Sequence, residues 1–383
     1  MRFTQFICKN VFRRKVRSTL TGIGVAVAIS AVVALLGVSN GFEQSSRDML
    51  TGHNVDLIVK HIGAGDFDTT RLDEAIGGQL AQLPEVGQLT PVLEDNVKLK
   101  DDSFPVPLRG LPPDSFALQD FQHPAQGRVL APTDHDSVML GTILARNLEK
   151  KPGDTVVIEL KKFKVVGIYQ SKSMLENRGA LVHLAELQAL MDREHQVSEF
   201  QIILKPGLAG DSAVVDRIKA EIADLRDADG KPYHLGALTT EQYLNNDNGI
   251  KLAGAMAWMT SAIALVIGAI GMLNTMIMSV MERTQEIGIL RAIGWRKVRV
   301  MRMILGESFA LSLGGAVVGT CLAVFLTRIV SHLPAAEGLV RPDVSLRVII
   351  TGFLLSLLLG LIGGAYPAIR GASLAPTEAL RYE

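Results

Sequence analysis

The stretch LAGAMAWMTSAIALVIGAIGMLNTMIMSVM, residues 252–281, contains no Asp, Glu, Lys or Arg over 30 residues. A helix rises about 1.5 Å per residue, so about 20 apolar residues cross a hydrocarbon core of roughly 30 Å. Three further stretches of 25, 20 and 22 residues also lack these charged residues, namely 18–42, 308–327 and 348–369. Buried helices of a large soluble enzyme are the alternative, but four runs of spanning length favour a membrane protein.

Charge is divided along the chain in the way that membrane topology requires. The net charge is zero, but residues 43–251 carry 32 acidic and 22 basic residues, while the remainder carries 7 acidic and 17 basic residues. The basic excess lies beside the apolar runs, at 1–17 and 282–303, and basic loops face the cytoplasm. We therefore expect both termini in the cytoplasm and the acidic region 43–251 outside.

The predicted fold is an α-helical membrane protein with four transmembrane helices and a large α+β extracytoplasmic domain inserted between the first and second. The first apolar run is longer than the apolar part of a signal peptide, so we interpret it as an uncleaved span. The predicted segments are an amphipathic interfacial helix 1–17, transmembrane helices 18–42, 250–281, 303–327 and 348–369, an extracytoplasmic domain 43–249, a cytoplasmic coupling helix 282–302, an outer loop 328–347 and a cytoplasmic tail 370–383.

Alternating strand-like and helix-like patterns in the inserted region predict two α/β subdomains. Strands are expected over 55–60, within 88–111, and over 137–141, 155–159, 163–169 and 199–204. Helices are expected over 69–83, 142–149, 183–191 and 212–225. The histidines, such as His53 and His61, are interpreted as scattered surface residues because their spacing is unlike that of a zinc site.

The chain carries no motif of its own for catalysis. A P-loop requires G-x-x-x-x-G-K-[ST], and the sequence contains no such run. We also find no nucleophile elbow and no metal-ligand cluster. We therefore expect a non-catalytic chain without a cofactor or metal, and if ATP drives it, another polypeptide binds the nucleotide.

The segment ERTQEIGILRAIGW, residues 282–295, links the second and third predicted spans. A helix would place Ile287, Leu290 and Ile293 or Gly294 near one stripe. It would leave four charged side chains to bond a partner: Glu282, Arg283, Glu286 and Arg291. Gly288 and Gly294 would permit close approach of another surface. A helix lying on lipid is the alternative, against which the two glutamates argue.

Small residues and one carboxylate stand out within the apolar runs. Gly24 with Ala28, and Gly315 with Gly319, form small-xxx-small patterns that allow helices to pack closely in lipid. Glu307 lies about one turn from Arg302 and Arg299, so we expect an ion pair at the membrane boundary rather than a proton relay.

Several of these segments resemble the FtsX/MacB-like ABC transporter permease superfamily. The resemblance rests on GAIGMLNT at 268–275 followed by ERTQEIGILRAIG at 282–294, on NVFRRK at 10–15, and on GAYPAIR at 364–370 and PTEALR at 376–381. Within the inserted region, VMLG at 138–141, KPGD at 151–154 and VVGI at 165–168 resemble the MacB-type extracytoplasmic module. The match covers nearly the whole chain. MacB itself fuses an ATPase to its N-terminus, and here we expect the ATPase to be a separate chain.

The resemblance implies the permease subunit of an ATP-driven exporter in a bacterial inner membrane. It implies a separate cytosolic ABC ATPase, which holds the ATP and Mg and docks on the coupling helix, and a second permease subunit, identical or paralogous. A periplasmic adaptor or a lipoprotein would be a further partner. Nucleic acid is not expected to bind. Motion of the ATPase would reach the outer domain through the spans, by mechanotransmission. A lipoprotein-releasing permease, an FtsX-like regulator of cell-wall hydrolases and a membrane-bound enzyme remain alternatives.

Overall fold

The computed structural model describes residues 15–61, 71–99, 105–121, 123–227, 229–331 and 343–374. The chain divides into two units. The membrane unit comprises the described residues of 15–41, Ala253–Val330 and 343–374, and the inserted domain is Phe42–Leu252. Residues 1–14 of the predicted interfacial helix 1–17, most of the outer loop 328–347 and most of the tail 370–383 lie outside the described residues.

In chain order the elements are α1 (Lys15–Gly52), β1 (Leu57–His61), β2 (Leu72–Asp73), α2 (Ile76–Leu80), β3 (Val86–Val97), β4 (Val106–Leu111), α3 (Phe116–Gln119), β5 (Gln126–Gly127), β6 (Ser137–Gly141), α4 (Thr142–Asn147), β7 (Thr155–Ile158), β8 (Lys161–Tyr169), α5 (Met174–Asn177), β9 (Ala180–His183), α6 (Leu184–Leu190), β10 (Gln196–Val197), β11 (Glu199–Leu204), α7 (Ser212–Ala223), β12 (Leu235–Thr239), α8 (Thr240–Asn246), α9 (Asn248–Met281), α10 (Thr284–Ala292), α11 (Lys297–Ser331) and α12 (Leu346–Ser373).

Four of these helices, α1, α9, α11 and α12, are long and apolar enough to cross a membrane. Each extends beyond its predicted bounds. The largest difference is in α1, which continues ten residues past the predicted end at 42. The extra turns are polar but remain helical, because side chains four residues apart interact along them: Arg47 with Glu43 at 3.8 Å, and Gln44 with Asp48 at 2.9 Å.

Small residues set the helix packing inside the membrane unit. A Cβ added at Gly315 would lie 2.5 Å from Val25 Cγ1, and one at Gly319 would lie 2.5 Å from the Ala26 carbonyl oxygen, so α11 packs directly on α1. Ala28 approaches Gly268 of α9 in the same way, at 2.9 Å. Gly24 differs, because it is exposed and a Cβ there meets nothing within 4 Å among the described residues. Among the described residues, Gly24 therefore takes no part in the close helix packing that Ala28 makes.

A ten-stranded sheet forms the centre of the inserted domain, in the order β12-β1-β11-β3-β4-β9-β6-β8-β5, with β7 paired to β8. The inserted region was predicted to form two α/β subdomains, but the structure has one continuous sheet that runs through both halves. The twelve-residue strand β3 joins the two halves, because its residues Val86–Val92 pair with β11 and its residues Leu93–Val97 pair with β4. A long strand can pair with one strand along its first half and with another along its second half. The spacing of residues in the sequence does not reveal such pairing.

Several predicted elements of the inserted domain are confirmed. The strands predicted over 137–141 and 199–204 are β6 and β11, and the paired strands predicted over 155–169 are the antiparallel pair β7 and β8. The helix predicted over 69–83 is wrong in its first part, where Leu72 pairs with Val197 in a short strand. Helical structure there is confined to α2. Helix α7 begins at the cap Asp211, whose carboxylate accepts from two backbone N–H groups.

The packing of α11 on α1 predicts that alanine substitution at two glycines of α11 has different effects on stability. Gly319→Ala should destabilise the membrane unit by about 1–3 kcal/mol, because the new methyl group meets a backbone oxygen that cannot move cheaply. Gly314→Ala is the matched control, since its methyl group meets nothing within 4 Å among the described residues. The thermal midpoint of the detergent-solubilised chain measures both. Equal midpoints for the two variants would contradict the close approach.

Candidate functional site

The segment between α9 and α11 is shorter as a helix than the sequence predicts. Instead of one helix over 282–302, the nine-residue helix α10 is followed by a turn and by the start of α11 at Lys297. Gly294 ends α10 with a φ of +101°, a conformation that glycine adopts without steric cost. The N–H groups of Gly294 and Trp295 donate to the carbonyls of Arg291 and Leu290, at 3.1 and 3.0 Å, which is a Schellman cap.

One face of α10 packs into the membrane unit. Ile287 and Gly288 are buried, and Leu290 is partly buried against the same core. Arg291 donates from Nη1 to the carbonyl oxygen of Ala372 at 2.8 Å, which joins α10 to the end of α12. Of the predicted docking residues, Ile287, Gly288, Leu290 and Arg291 thus contact this chain itself. A large side chain at Gly288 would disturb that packing before it met any partner.

Arg283 and Glu307 form a buried, two-pronged ion pair. Arg283 Nη1 lies 3.0 and 3.1 Å from the two carboxylate oxygens of Glu307, and Arg283 Nε donates to Glu286 at 3.2 Å. The expectation that Arg283 is left to bond a partner is corrected, because its guanidinium is enclosed by its own chain. The expected pairing of Glu307 with Arg302 or Arg299 is corrected as well. Arg299 lies instead over the Trp295 ring, at 4.5 Å.

The opposite face of α10 is exposed and combines apolar with acidic side chains. Ile289 is 44% exposed and Ile293 is 74% exposed, and the two stand one helical turn apart. Glu282 and Glu286 are exposed at the start of the segment, and Gly294 is exposed at its end. We call these five residues the exposed face of α10. Exposed isoleucines at the end of a polar loop are suited to contact either another protein or a lipid surface.

A second polar site, which the sequence did not predict, lies inside the inserted domain. His53 is only 5% exposed, so its interpretation as a surface histidine is wrong. Its Nδ1 lies 2.6 Å from Asp120 Oδ2 and its Nε2 lies 2.6 Å from Glu176 Oε1. Arg109 Nη1 donates to the same Glu176 oxygen at 2.9 Å. The four residues come from distant parts of the chain, and no spacing motif connects them.

The charges in this cluster shift one another's pKa values. Burial opposes protonation of His53, but its hydrogen bonds with Asp120 and Glu176 outweigh burial and raise its pKa. Burial likewise opposes ionisation of Glu176, but His53 and Arg109 hold its pKa below the usual value. For Glu94 the balance is reversed, because burial raises its pKa to about 7 in spite of the nearby Arg109.

The described residues contain no group of three or more His, Cys, Asp or Glu side chains arranged to hold a metal ion. The contacts of His53 are hydrogen bonds that tie α3 and α5 to the end of α1. Ser45 of α1 supports the same junction, since its hydroxyl accepts from the N–H of Met174 at 3.0 Å. The cluster therefore fixes the local structure of the inserted domain and places charges beside one another in its interior.

Comparison with protein families assigns both parts of the chain. Residues 18–225 match the MacB-like periplasmic core domain, and residues 258–376 match the FtsX-like permease C-terminal region. An uncharacterized ABC transporter permease of Methanocaldococcus jannaschii is 28% identical, over 99% of this chain and 97% of the relative.

Two relatives that carry names for export are longer than this chain. The macrolide export ATP-binding/permease protein MacB of Bdellovibrio bacteriovorus is 26% identical over 96% of this chain and 60% of the relative. The pyoverdine export ATP-binding/permease protein PvdT of Pseudomonas putida is 26% identical over 96% of this chain and 57% of the relative. The chain thus spans about 60% of the length of such relatives. The crystal structure of the periplasmic region of MacB from Actinobacillus actinomycetemcomitans aligns with a TM-score of 0.40 at 16% identity, over 52% of this chain and 97% of that one.

The raised pKa of Glu94 predicts how stability changes with pH. The folded state retains a proton on Glu94 up to about pH 7, whereas the unfolded state loses it near the ordinary glutamate pKa of 4.5. Stability therefore falls as pH rises through 7, by about 2 kcal/mol between pH 5.5 and 8. Glu94→Gln should remove this loss, because glutamine carries no proton to release. Hydrogen exchange of the peptide 86–97 in the detergent-solubilised chain, corrected for intrinsic rates, measures the effect.

The raised pKa of His53 also makes stability fall as pH rises, and it does so in wild type and in Glu94→Gln alike. The difference in pH dependence between the two proteins therefore reports the contribution of Glu94 alone. Glu149→Gln, at an exposed position, serves as the matched control and should keep the wild-type slope. The same loss of protection between pH 5.5 and 8 in Glu94→Gln as in wild type would contradict the prediction.

Proposed function

The chain belongs to the family of proteins with a MacB-like periplasmic core domain and an FtsX-like permease region, and we propose that it is the permease subunit of an ATP-driven exporter of MacB type. Two observations support the proposal. The relatives that carry names for export are ATP-binding/permease proteins, and this chain matches a periplasmic core domain and a permease region. The 383 residues contain no P-loop, and in this proposal a separate cytosolic ABC ATPase holds ATP and Mg.

The ATPase docks on the exposed face of α10 in this proposal. The observation that carries it is the pair of exposed isoleucines, Ile289 and Ile293, on the face turned away from the membrane unit. Apolar anchors surrounded by charged residues are the usual composition of a protein interface. Glu282 and Glu286 would contribute charge complementarity at the rim, which adds specificity more than affinity.

Directional bonds connect this docking face to two of the spans. Arg283, just before α10, is tied to Glu307 of α11, and Arg291 near its end is tied to the carbonyl of Ala372 in α12. A force applied to α10 therefore loads α11 and α12 together. We propose that this is how ATPase motion enters the membrane unit and reaches the periplasmic core domain. A second permease subunit, identical or paralogous, would complete the transporter, with a periplasmic adaptor or a lipoprotein as a further partner.

Topology is the first prediction of this function. With both termini in the cytoplasm of an inner-membrane protein, a single cysteine at position 136 should react with an impermeant thiol reagent on intact spheroplasts, and one at position 296 should react only after lysis. Both positions are exposed in the structure, so accessibility to the reagent depends on the side of the membrane. Labelling of 296 and not of 136 on intact spheroplasts would overturn the topology.

Docking gives the second prediction. Ile289→Glu with Ile293→Glu should reduce the ABC ATPase activity that co-purifies with the tagged chain by about tenfold or more, because burying each new carboxylate in an apolar interface is costly. Leu160→Glu is the matched control. It is 98% exposed at the turn of the β7–β8 hairpin, and it adds one carboxylate, where the double variant adds two, outside the proposed docking face.

Full retention of ATPase activity by the double variant would refute docking at this face. In that case the membrane surface becomes the better assignment for the exposed face of α10. Membrane insertion and trypsin resistance of the inserted domain check that each variant folds.

A further inference from the structure

The inserted domain contains a cavity of about 400 Å³, a volume that fits a drug-sized molecule. Its apolar wall is built by the last part of α1, by the start of α9 and by side chains of the sheet. The apolar lining residues include Phe42, Met49, Leu50, Leu181, Leu244 and Ile250. Such a lining favours a hydrophobic ligand, since transfer of apolar surface from water is the main source of binding free energy in cavities of this kind.

Charged side chains also line the cavity. Four carboxylates line the cavity against two guanidiniums, those of Glu94, Glu176, Glu199 and Asp247 against those of Arg109 and Arg178. The sheet register explains their position. Glu94 of β3 lies directly opposite Arg109 of β4, and Glu199 of β11 lies opposite Val92, two residues before Glu94. Side chains two residues apart share a face of the sheet, so these charges project together.

The carboxylates differ in how far their own chain satisfies them. Glu176 interacts with His53 and Arg109 and accepts from Ser171, at 2.6, 2.9 and 2.5 Å. Glu199 accepts from Gln201 at one oxygen, and its other oxygen, Oε2, is buried without a hydrogen-bond partner among the described residues. Since Glu199 is only 2% exposed, this oxygen is a costly buried acceptor that a ligand donor would relieve.

Glu94 is also incompletely paired. Its closest cation is Arg109, whose Nε lies 4.0 Å from Oε2, beyond hydrogen-bond distance. Arg109 itself retains Nε and Nη2 without hydrogen-bond partners among the described residues, but it is 4% exposed and its charge is already matched by Glu176 at 2.9 Å. Glu176 is thus matched by His53 and Arg109. Glu94 and Glu199, in contrast, are incompletely paired, and these two carboxylates make the cavity a better host for a cation than for an anion.

We propose that this cavity binds a hydrophobic molecule that carries a protonated amine, with the amine held by Glu94 and Glu199 and the apolar body placed against α1, α8 and α9. The inference rests on the proposed function for its biological meaning, because it would name the chemical class of molecule that the exporter handles. Binding itself needs no ATPase.

The test compares three fluorescent probes of nearly equal size on the full chain in lipid nanodiscs without an ATPase. They are 1-naphthylmethylamine, 1-naphthylmethanol and 1-naphthylacetate, which are cationic, neutral and anionic at pH 7.5. After subtraction of the signal from empty nanodiscs, the amine should bind saturably and at least about tenfold more tightly than either of the others. Tighter binding of the anion would assign the site to Arg109, and equal or absent binding of all three would overturn the proposal.

Charge-neutral variants locate the amine. Glu94→Gln and Glu199→Gln should each weaken amine binding at least about fivefold and leave the weak binding of 1-naphthylmethanol unchanged. Glu221→Gln is the matched control, at an exposed position on α7, and should bind as wild type does. Unchanged amine binding in both cavity variants would refute the assignment.

A variant of the apolar wall covers the case in which the carboxylate variants fail to fold. Met49→Trp narrows the cavity from α1 without altering a charge, and it should weaken binding of the amine and of the neutral probe alike. Trypsin resistance of the inserted domain monitors folding of every variant. Because the nanodiscs contain no ATPase, loss of binding leaves the docking proposal untouched, and failure of docking leaves the binding result standing.

Discussion

A hydrocarbon core offers no hydrogen-bond partner to the peptide group, and the rest of this structure depends on that constraint. Backbone polar groups must then be satisfied within each spanning segment, which requires helices. Helices in lipid gain little from the hydrophobic effect on packing together, so close approach at small residues must hold them. The contact of Gly315 and Gly319 with α1 is such an approach. Charged side chains are accommodated only where they are paired, as in the enclosed pair of Arg283 and Glu307.

The sequence predicted the parts of the fold that follow from composition and period. The four long helices follow from uninterrupted apolar runs, and strands such as β6 and β11 follow from short apolar runs bounded by turn residues. Helix ends were less predictable, because the polar residues that continue α1 to Gly52 can form either a helix or a loop. The sharing of β3 between two halves of the sheet is a long-range property, which local propensity does not encode.

In the candidate sites, too, local features were predictable from the sequence and long-range contacts were not. Periodicity predicted one stripe of Ile287, Leu290 and Ile293 or Gly294, but the structure divides it, because Ile287 and Leu290 pack inward whereas Ile293 is exposed. The partner of Arg283 could not be predicted, since Glu307 lies 24 residues away and nearer arginines were available. The cluster around His53 was likewise invisible, because its contact with Glu176 joins residues 123 positions apart. Titratable residues brought together by the fold leave no spacing pattern in the sequence.

A buried ion pair is weak evidence for stability, because desolvation of the two charges offsets most of their attraction. Its directional geometry is the more useful property here. Arg283, just before α10, donates from Nη1 to both oxygens of Glu307, so a shift of α10 along α11 would strain two charge-assisted hydrogen bonds. Separating one partner from a buried pair costs about 3–5 kcal/mol, whereas apolar contacts at the same place would tolerate sliding at lower cost. A charged pair at the entry to a span therefore fixes the position of the short helix relative to that span.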